Sequence, residues 1–224
     1  TSEPLEKENL LTPRHLLTMT SGLNDESNWV IKSNLTYLAD AGTRWSYSNV
    51  FQKLIDVVAA SSNQTFENYF NAKLKNKIGM DGFWNFGTIF TIYHSNTRSM
   101  ARFGLLFLNK GKWKNEQIIN ETYLNEAIST SQNINPSYGY LWWLNGKSKY
   151  MVPGSQTVYP TALVPNAPAD MYAAMGAEDQ RIYVIPSKNM VVIRMGDASD
   201  PQNPNFALSG FDAALWDKIN AVVR

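Results

Sequence analysis

Tyr47-Ser48-Asn49 stands where a polar turn, "GTRWSYSN", runs into the apolar stretch "VFQKLIDVV". A tyrosine hydroxyl can pass a proton. An asparagine two residues on can orient a substrate or a second side chain through its amide donors and its acceptor. The same residues have a plainer reading, with Asn49 or Ser48 capping a helix and Tyr47 packed against it. Two further Tyr-x-Asn triplets, Tyr69-Phe70-Asn71 and Tyr123-Leu124-Asn125, fall inside stretches patterned as helices. Only the first stands at a loop-to-helix junction, where side chains can face a cleft.

Other chemistries are excluded by residue type. The chain has no cysteine, which removes disulfides, thiol nucleophiles and thiolate metal sites. It has two histidines. His15 lies within an apolar helix and reads as structural, and His94 reads as a loop residue without a metal-ligand partner. There is no Gly-x-Ser-x-Gly elbow, Walker loop or Gly-x-Gly-x-x-Gly, and the acidic residues lack metal-like spacing. No cofactor and no metal are expected. Basic and acidic residues number 20 and 19, for a net charge of +1, with no run of one sign. Nothing in that balance points to nucleic acid or an anionic membrane as a partner, and neither nucleic acid nor a membrane span is expected. Lys73, Lys75 and Lys77 lie near a helix end, where they complement its dipole. No apolar stretch is long enough to span a bilayer, and no signal-peptide pattern is present.

The elements that must position Tyr47 follow from periodicity. "LLTPRHLLTMTSGL" reads as a helix with Thr12 as N-cap, Pro13 first and Gly22 as the stop. After Tyr47, residues Phe51, Leu54, Ile55 and Val58 recur at helical spacing. Further helices are predicted from Thr65 to Gly79, over "SNTRSMARFGLLFLNKG" ending at Gly111, and over "NETYLNEAIS" capped by Asn120. From about residue 135 the texture changes. "SYGYLWWLN" and "DMYAAMG" read as strands, and "QRIYVIPSKNMVVIRMG" as a hairpin apolar on both faces. "FDAALWDKINAVV" closes the chain as an amphipathic helix. Helices, then strands, then one helix make an α+β pattern, with a helical region over 1–135 and a sheet portion over 136–224. Arg181 reads as a solvated strand position, and Trp142 and Trp143 as core and cleft wall rather than a sugar platform.

"LTPRHLLTMTSGL", "GTRWSYSN", "RSMARFGLLFLNKGKW", "YGYLWWLN" and "AMGAEDQRIYVIPSKNMVVIRMG", in this order, resemble the serine β-lactamase and penicillin-binding-protein superfamily. The likeness is greatest to its class C branch, which also holds esterases, D-amino-acid peptidases and 6-aminohexanoate-oligomer hydrolases. The resemblance implies an antiparallel sheet with flanking helices and a helical region. It also implies three motifs in one cleft: Ser-x-x-Lys with the nucleophile, Tyr-x-Asn, and a strand motif Lys-Thr-Gly or His-x-Gly. Tyr47 and Asn49 match the second. Ala174-Met175-Gly176 stand at the third, and Ala177 follows where the family uses a backbone N–H in its oxyanion hole. Gly176 would let a substrate backbone approach, with Met175 beside it.

Two departures stand out. None of the 13 lysines has serine three positions before it, so Ser-x-x-Lys is absent. The family places that motif upstream of "LTPRHLLTMTSGL", so the chain reads as the C-terminal two-thirds of a domain. The nucleophile, its lysine and the remaining strands would come from a segment outside this chain or from another chain. Ala174 stands where a cationic residue or histidine usually meets the penicillin carboxylate, which favours a small ester or amide over a β-lactam. The expected activity is acyl transfer to water through an acyl-serine, in a periplasmic or exported bacterial protein. The alternatives are a non-catalytic homologue that uses the cleft for binding, and an unrelated sugar-binding module.

Overall fold

A computed structural model describes residues 6–202 and 207–223. The first α-helix, α1, spans Pro13–Leu17. At its start the Thr12 N–H donates to His15 Nδ1 (3.2 Å), so His15 is structural, as its apolar setting suggests. The helix stops well short of Gly22. The Thr18 hydroxyl donates back to the Arg14 carbonyl (2.9 Å), and Met19 turns left-handed at φ 57°.

A 3-10 turn over Asn49–Gln52 leads into α2, Lys53–Ser62. Neither candidate cap acts as one. Ser48 holds the N-cap position but makes no capping bond, and the Asn49 amide donates to the Asn28 carbonyl (3.1 Å). The stretch from Thr65 to Gly79 forms as the caps predict. The Thr65 hydroxyl accepts from the Asn68 N–H, and α3 (Phe66–Phe70) passes through a π-helical turn over Asn71–Lys75 into α4 (Asn76–Ile78).

Between α4 and the next helix lies a hairpin that the periodicity did not predict, β1 (Gly82–Phe86) with β2 (Thr91–Ser95). Trp84 and Tyr93 form its inner face, against Phe66 and Phe70. His94 is therefore a strand residue, opposite Phe83 with the rings stacked at 5.2 Å. The 12-residue α5 (Thr97–Leu108) is capped by Asn96. A short hairpin, β3 (Lys112–Trp113) with β4 (Glu116–Gln117), precedes α6 (Glu121–Ala127), capped by Asn120 as expected. Among its described residues the stretch 1–135 thus holds two short hairpins as well as its helices.

The main sheet is antiparallel, in the order β5 (Trp143–Leu144), β6 (Tyr172–Met175), β7 (Arg181–Ile185), β8 (Met190–Arg194). The closing helix, α7, spans Gly210–Val222. Strand alternation sorts the side chains onto two faces. Tyr172, Ile182 and Val184 meet Phe107 of α5, with Ala174, Val191 and Ile193 at the margin. Ala173, Met175, Tyr183 and Ile185 meet Trp216 of α7, together with Trp45 and Trp143. Covering both faces explains why β7 and β8 are apolar but for Arg181 and Arg194. Gly104 lets α5 lie close, since a Cβ there would stand 2.6 Å from Val191 Cγ1. β8 is an edge: among the described residues only β7 pairs with it. This is the expected α+β architecture, with a helix on each face of one antiparallel sheet.

Candidate active site

Tyr47 is held from both sides. The Ser46 N–H donates to the Met19 carbonyl (2.8 Å), and the Gln156 amide donates to the carbonyl of the fully buried Trp45 (3.1 Å). Asp25 clamps the turn by accepting from Arg44 (2.9 Å) and from the Ser46 hydroxyl. Burial alone would raise the Asp25 carboxyl, but the bonds from Ser46 and Arg44 outweigh it and hold the carboxyl below its ordinary value. Asp25 carried no motif, and only its contact with the turn marks it.

The Tyr47 ring lies nearly parallel to Trp143, 5.8 Å between centroids and 18° between planes, and edge-on to Tyr138 at 6.1 Å. Burial pushes the Tyr47 phenol above its ordinary value, and no cation among the described residues offsets that. Its hydroxyl makes no hydrogen bond among the described residues. The tyrosines of the other two triplets, Tyr69 and Tyr123, lie in α3 and α6, as their patterning suggests.

Trp143 pairs with Ala173 of β6, and Met175 lies two residues further along the same strand face. Tyr47 and the third-motif strand therefore share one cluster. Met175 is the member on the Tyr47 face, while Ala174 points the other way, toward α5. Trp142 and Trp143 are both buried and offer no exposed platform for a sugar. Asn49 is turned to Asn28 and is not brought to β6 by any contact.

β6 ends at Gly176, whose N–H donates to the Gln180 carbonyl (2.9 Å). Its φ of −105° suits any residue, and an added Cβ would meet nothing closer than Gln180 Cβ at 3.4 Å. The fold itself does not require glycine there. Ala177 is exposed, and its N–H has no acceptor among the described residues. Glu178 and Asp179 then both turn left-handed, at φ 57° and 58°. Such a conformation costs roughly 1–2 kcal/mol per residue. Asp179 offsets the cost with bonds from the Ser199 N–H (2.9 Å) and from the hydroxyls of Ser199 (2.6 Å) and Ser209 (2.7 Å). Burial works to raise the Asp179 carboxyl, yet these bonds and Arg181 leave it below its ordinary value.

Arg181 is not solvated. It is 1% exposed and pairs with Asp212 (2.7 Å) and Asp179 (3.0 Å), both buried. Tyr183 donates to the same Asp212 carboxylate (2.5 Å). Asp212 also accepts from the Ser209 N–H (2.8 Å) as the far half of the capping box of α7. Separately, a cavity of about 510 Å³ opens between Tyr150, Tyr159, Leu163 and the start of α7. None of the candidate site residues lines it.

Comparison with known proteins bears on the family and the fold. A family model described as Beta-lactamase matches residues 4–208. The chain belongs to the β-lactamase family. Among solved structures, this family member is similar to a candidate β-lactamase from Bacteroides dorei DSM 17855 (TM-score 0.66, 12% identity, 97% of this chain and 73% of that one). It is similar to a candidate 6-aminohexanoate-dimer hydrolase from Bacillus anthracis (0.62, 16%, 99% and 55%). A penicillin-binding protein from Bacillus halodurans is a third (0.57, 15%, 97% and 76%). At such identities the likeness shows the fold, which is that of β-lactamases and transpeptidases. This β-lactamase-family chain thus spans between 55% and 76% of the length of these three structures. No curated protein sequence matches it significantly.

Proposed function

We propose that the chain forms part of a serine hydrolase that cleaves a small ester or amide through an acyl-serine. The observation that carries this reading is the stack of Tyr47 on Trp143, one strand from the β6 end where the Ala177 N–H lies unpaired. Tyr47 relays the proton, and Ala177 supplies an oxyanion donor next to Gly176 and Met175. With its amide nitrogen on the Asn28 carbonyl, Asn49 orients the lysine or the substrate through its Oδ1. A serine hydroxyl needs a base beside it, and a phenol raised by burial becomes that base only beside a cation. The nucleophile and that cation come from a Ser-x-x-Lys segment outside these 224 residues, whose strands pair with the open edge of β8. The reaction so read calls for no cofactor. A bacterial protein of this kind acts in the periplasm or outside the cell.

The alternative reading is a binding homologue of the same fold that does not catalyse. Treating the protein that includes the upstream segment with a fluorophosphonate probe separates the two. Covalent labelling of a serine upstream of residue 1 supports the hydrolase, and no labelling supports the binding homologue.

A further inference from the structure

We propose that Arg181 is a positioning residue of the acyl-transfer site, fixing the plane of the Gly176–Ala177 peptide and so aiming the Ala177 N–H. The inference rests on the acyl-transfer reading above. Arg181 Nε and Nη2 hold Asp212 (2.7 and 3.0 Å), and Nη2 also reaches Asp179 (3.0 Å) and the Ala207 carbonyl (2.5 Å). Those bonds suffice to tie the sheet to α7. Nη1 goes elsewhere, to the carbonyls of Gly176 (2.8 Å) and Gln180 (3.1 Å).

A trans peptide is planar, with its C=O and N–H pointing in opposite directions. The Gly176 carbonyl and the Ala177 N–H belong to one such unit. Holding the carbonyl on the guanidinium therefore turns the Ala177 N–H away from β7, toward the unpaired side of the β6 end. The Gly176 N–H, bonded to Gln180, faces β7 as the carbonyl does. The next two residues cannot easily relax to let the peptide flip. Glu178 and Asp179 are both left-handed, the Glu178 carbonyl accepts from Arg194 (2.7 Å) and Gln180 (3.0 Å), and Asp179 is tied by its side chain. Arg181 faces two carboxylates, Asp179 and Asp212, so its charge is more than neutralised. Its contribution to a developing oxyanion is orientation, since donors count only when aimed beforehand.

The test uses the protein that includes the upstream segment, acylated by a small activated ester. Arg181→Lys keeps the charge but lacks the fork that reaches Gly176. The control, Tyr183→Phe, removes a bond to Asp212 without touching Gly176. We expect Arg181→Lys to slow acylation by about 10²-fold, with KM little changed. The acyl-carbonyl infrared stretch should move to higher frequency, and the control should move neither. A folded Arg181→Lys protein with the parent's rate and stretch overturns the inference. If that variant does not fold, the crystal structure of the parent bearing a phosphonate decides. A phosphonate oxygen on the Ala177 N–H, with Gly176 still on Arg181, supports the inference, and an oxygen bound elsewhere overturns it. A parent that takes no acyl group at all removes the acyl-transfer reading first, and this inference with it.

Discussion

The rings of Tyr47 and Trp143 lie 18° from parallel with 5.8 Å between their centres. Trp143 is paired in turn with Ala173 on the strand that ends at Gly176. Two stretches more than a hundred residues apart in sequence are thereby joined through Trp143, with Trp45 and Tyr138 packed on the same ring. Stacking of this kind contributes about 0.5–1.5 kcal/mol beyond the area buried.

Tyr47→Phe should leave stability nearly unchanged, because the ring keeps its contacts and the lost hydroxyl bonds to nothing described. In the protein that includes the upstream segment, it should slow acylation by about 10²–10⁴-fold, as for a lost general base. Near-normal turnover with intact folding would sink the role assigned to Tyr47.

Gly176→Ala should fold normally, because φ is −105° and the added methyl meets only Gln180 at ordinary contact distance. It should nonetheless slow acylation at least about tenfold, by crowding a substrate backbone at the strand end. Thermal melts beside single-turnover rates check both halves. Unchanged rates would mean that substrate does not approach there.

Penicillins should be hydrolysed poorly and small uncharged esters or amides better. Ala174 carries no charge to meet a carboxylate, and its side chain points to the α5 face, away from Tyr47. Measuring kcat/KM for a penicillin against a matched neutral ester tests this. A marked preference for the carboxylate-bearing substrate would refute it.

Stability should fall as the pH drops below about 6.5. Burial first, and the Arg14 charge second, lower the His15 pKa from 6.5. Between that value and the lower folded one, the unfolded chain binds the extra proton and the folded one does not, so stability declines with falling pH. Below the folded value this contribution stops changing. Protonation of Nδ1 also removes the acceptor for the Thr12 N–H. Asp25 and Asp179 act in a separate window. Their folded pKa values lie below 3.8, so the stability they add is present above 3.8 and lost as the pH falls through those values. Urea midpoints at pH about 7.5 and about 5.5, for the parent and His15→Gln, check the upper window. The parent should lose more between the two, and equal losses would rule out His15 as the cause.

Residues 1–224 expressed alone should self-associate. β8 offers an edge with only β7 beside it, and its five residues are only half-buried. Unpaired edges of this kind invite pairing between chains. Sedimentation velocity reads the outcome. A cooperatively melting monomer of 25.3 kDa would show that the edge needs no partner.

Several features decided within a few residues were readable from sequence, although the early end of α1 and the missing cap at Ser48 were not. Thr65 and Asn120 cap their helices, Gly79 ends one, and the two nearly all-apolar runs at 181–194 made a hairpin covered on both faces. Five ordered stretches also sufficed for the family. Where burial or a distant partner decides, the reading went astray. Arg181 looked solvated because its counter-charge Asp212 lies on a helix far along the chain, and only packing α7 on the sheet brings them together. Asn49 looked like a cap but its amide donates to the Asn28 carbonyl, 21 residues earlier in the chain. The hairpin 82–95 went unread because its inner face, Trp84 and Tyr93, is completed by Phe66 and Phe70 on a neighbouring helix. Local backbone preferences and periodicity are properties of the string itself. The neighbours of a buried charge, and the direction of a single peptide N–H, exist only once distant segments have packed.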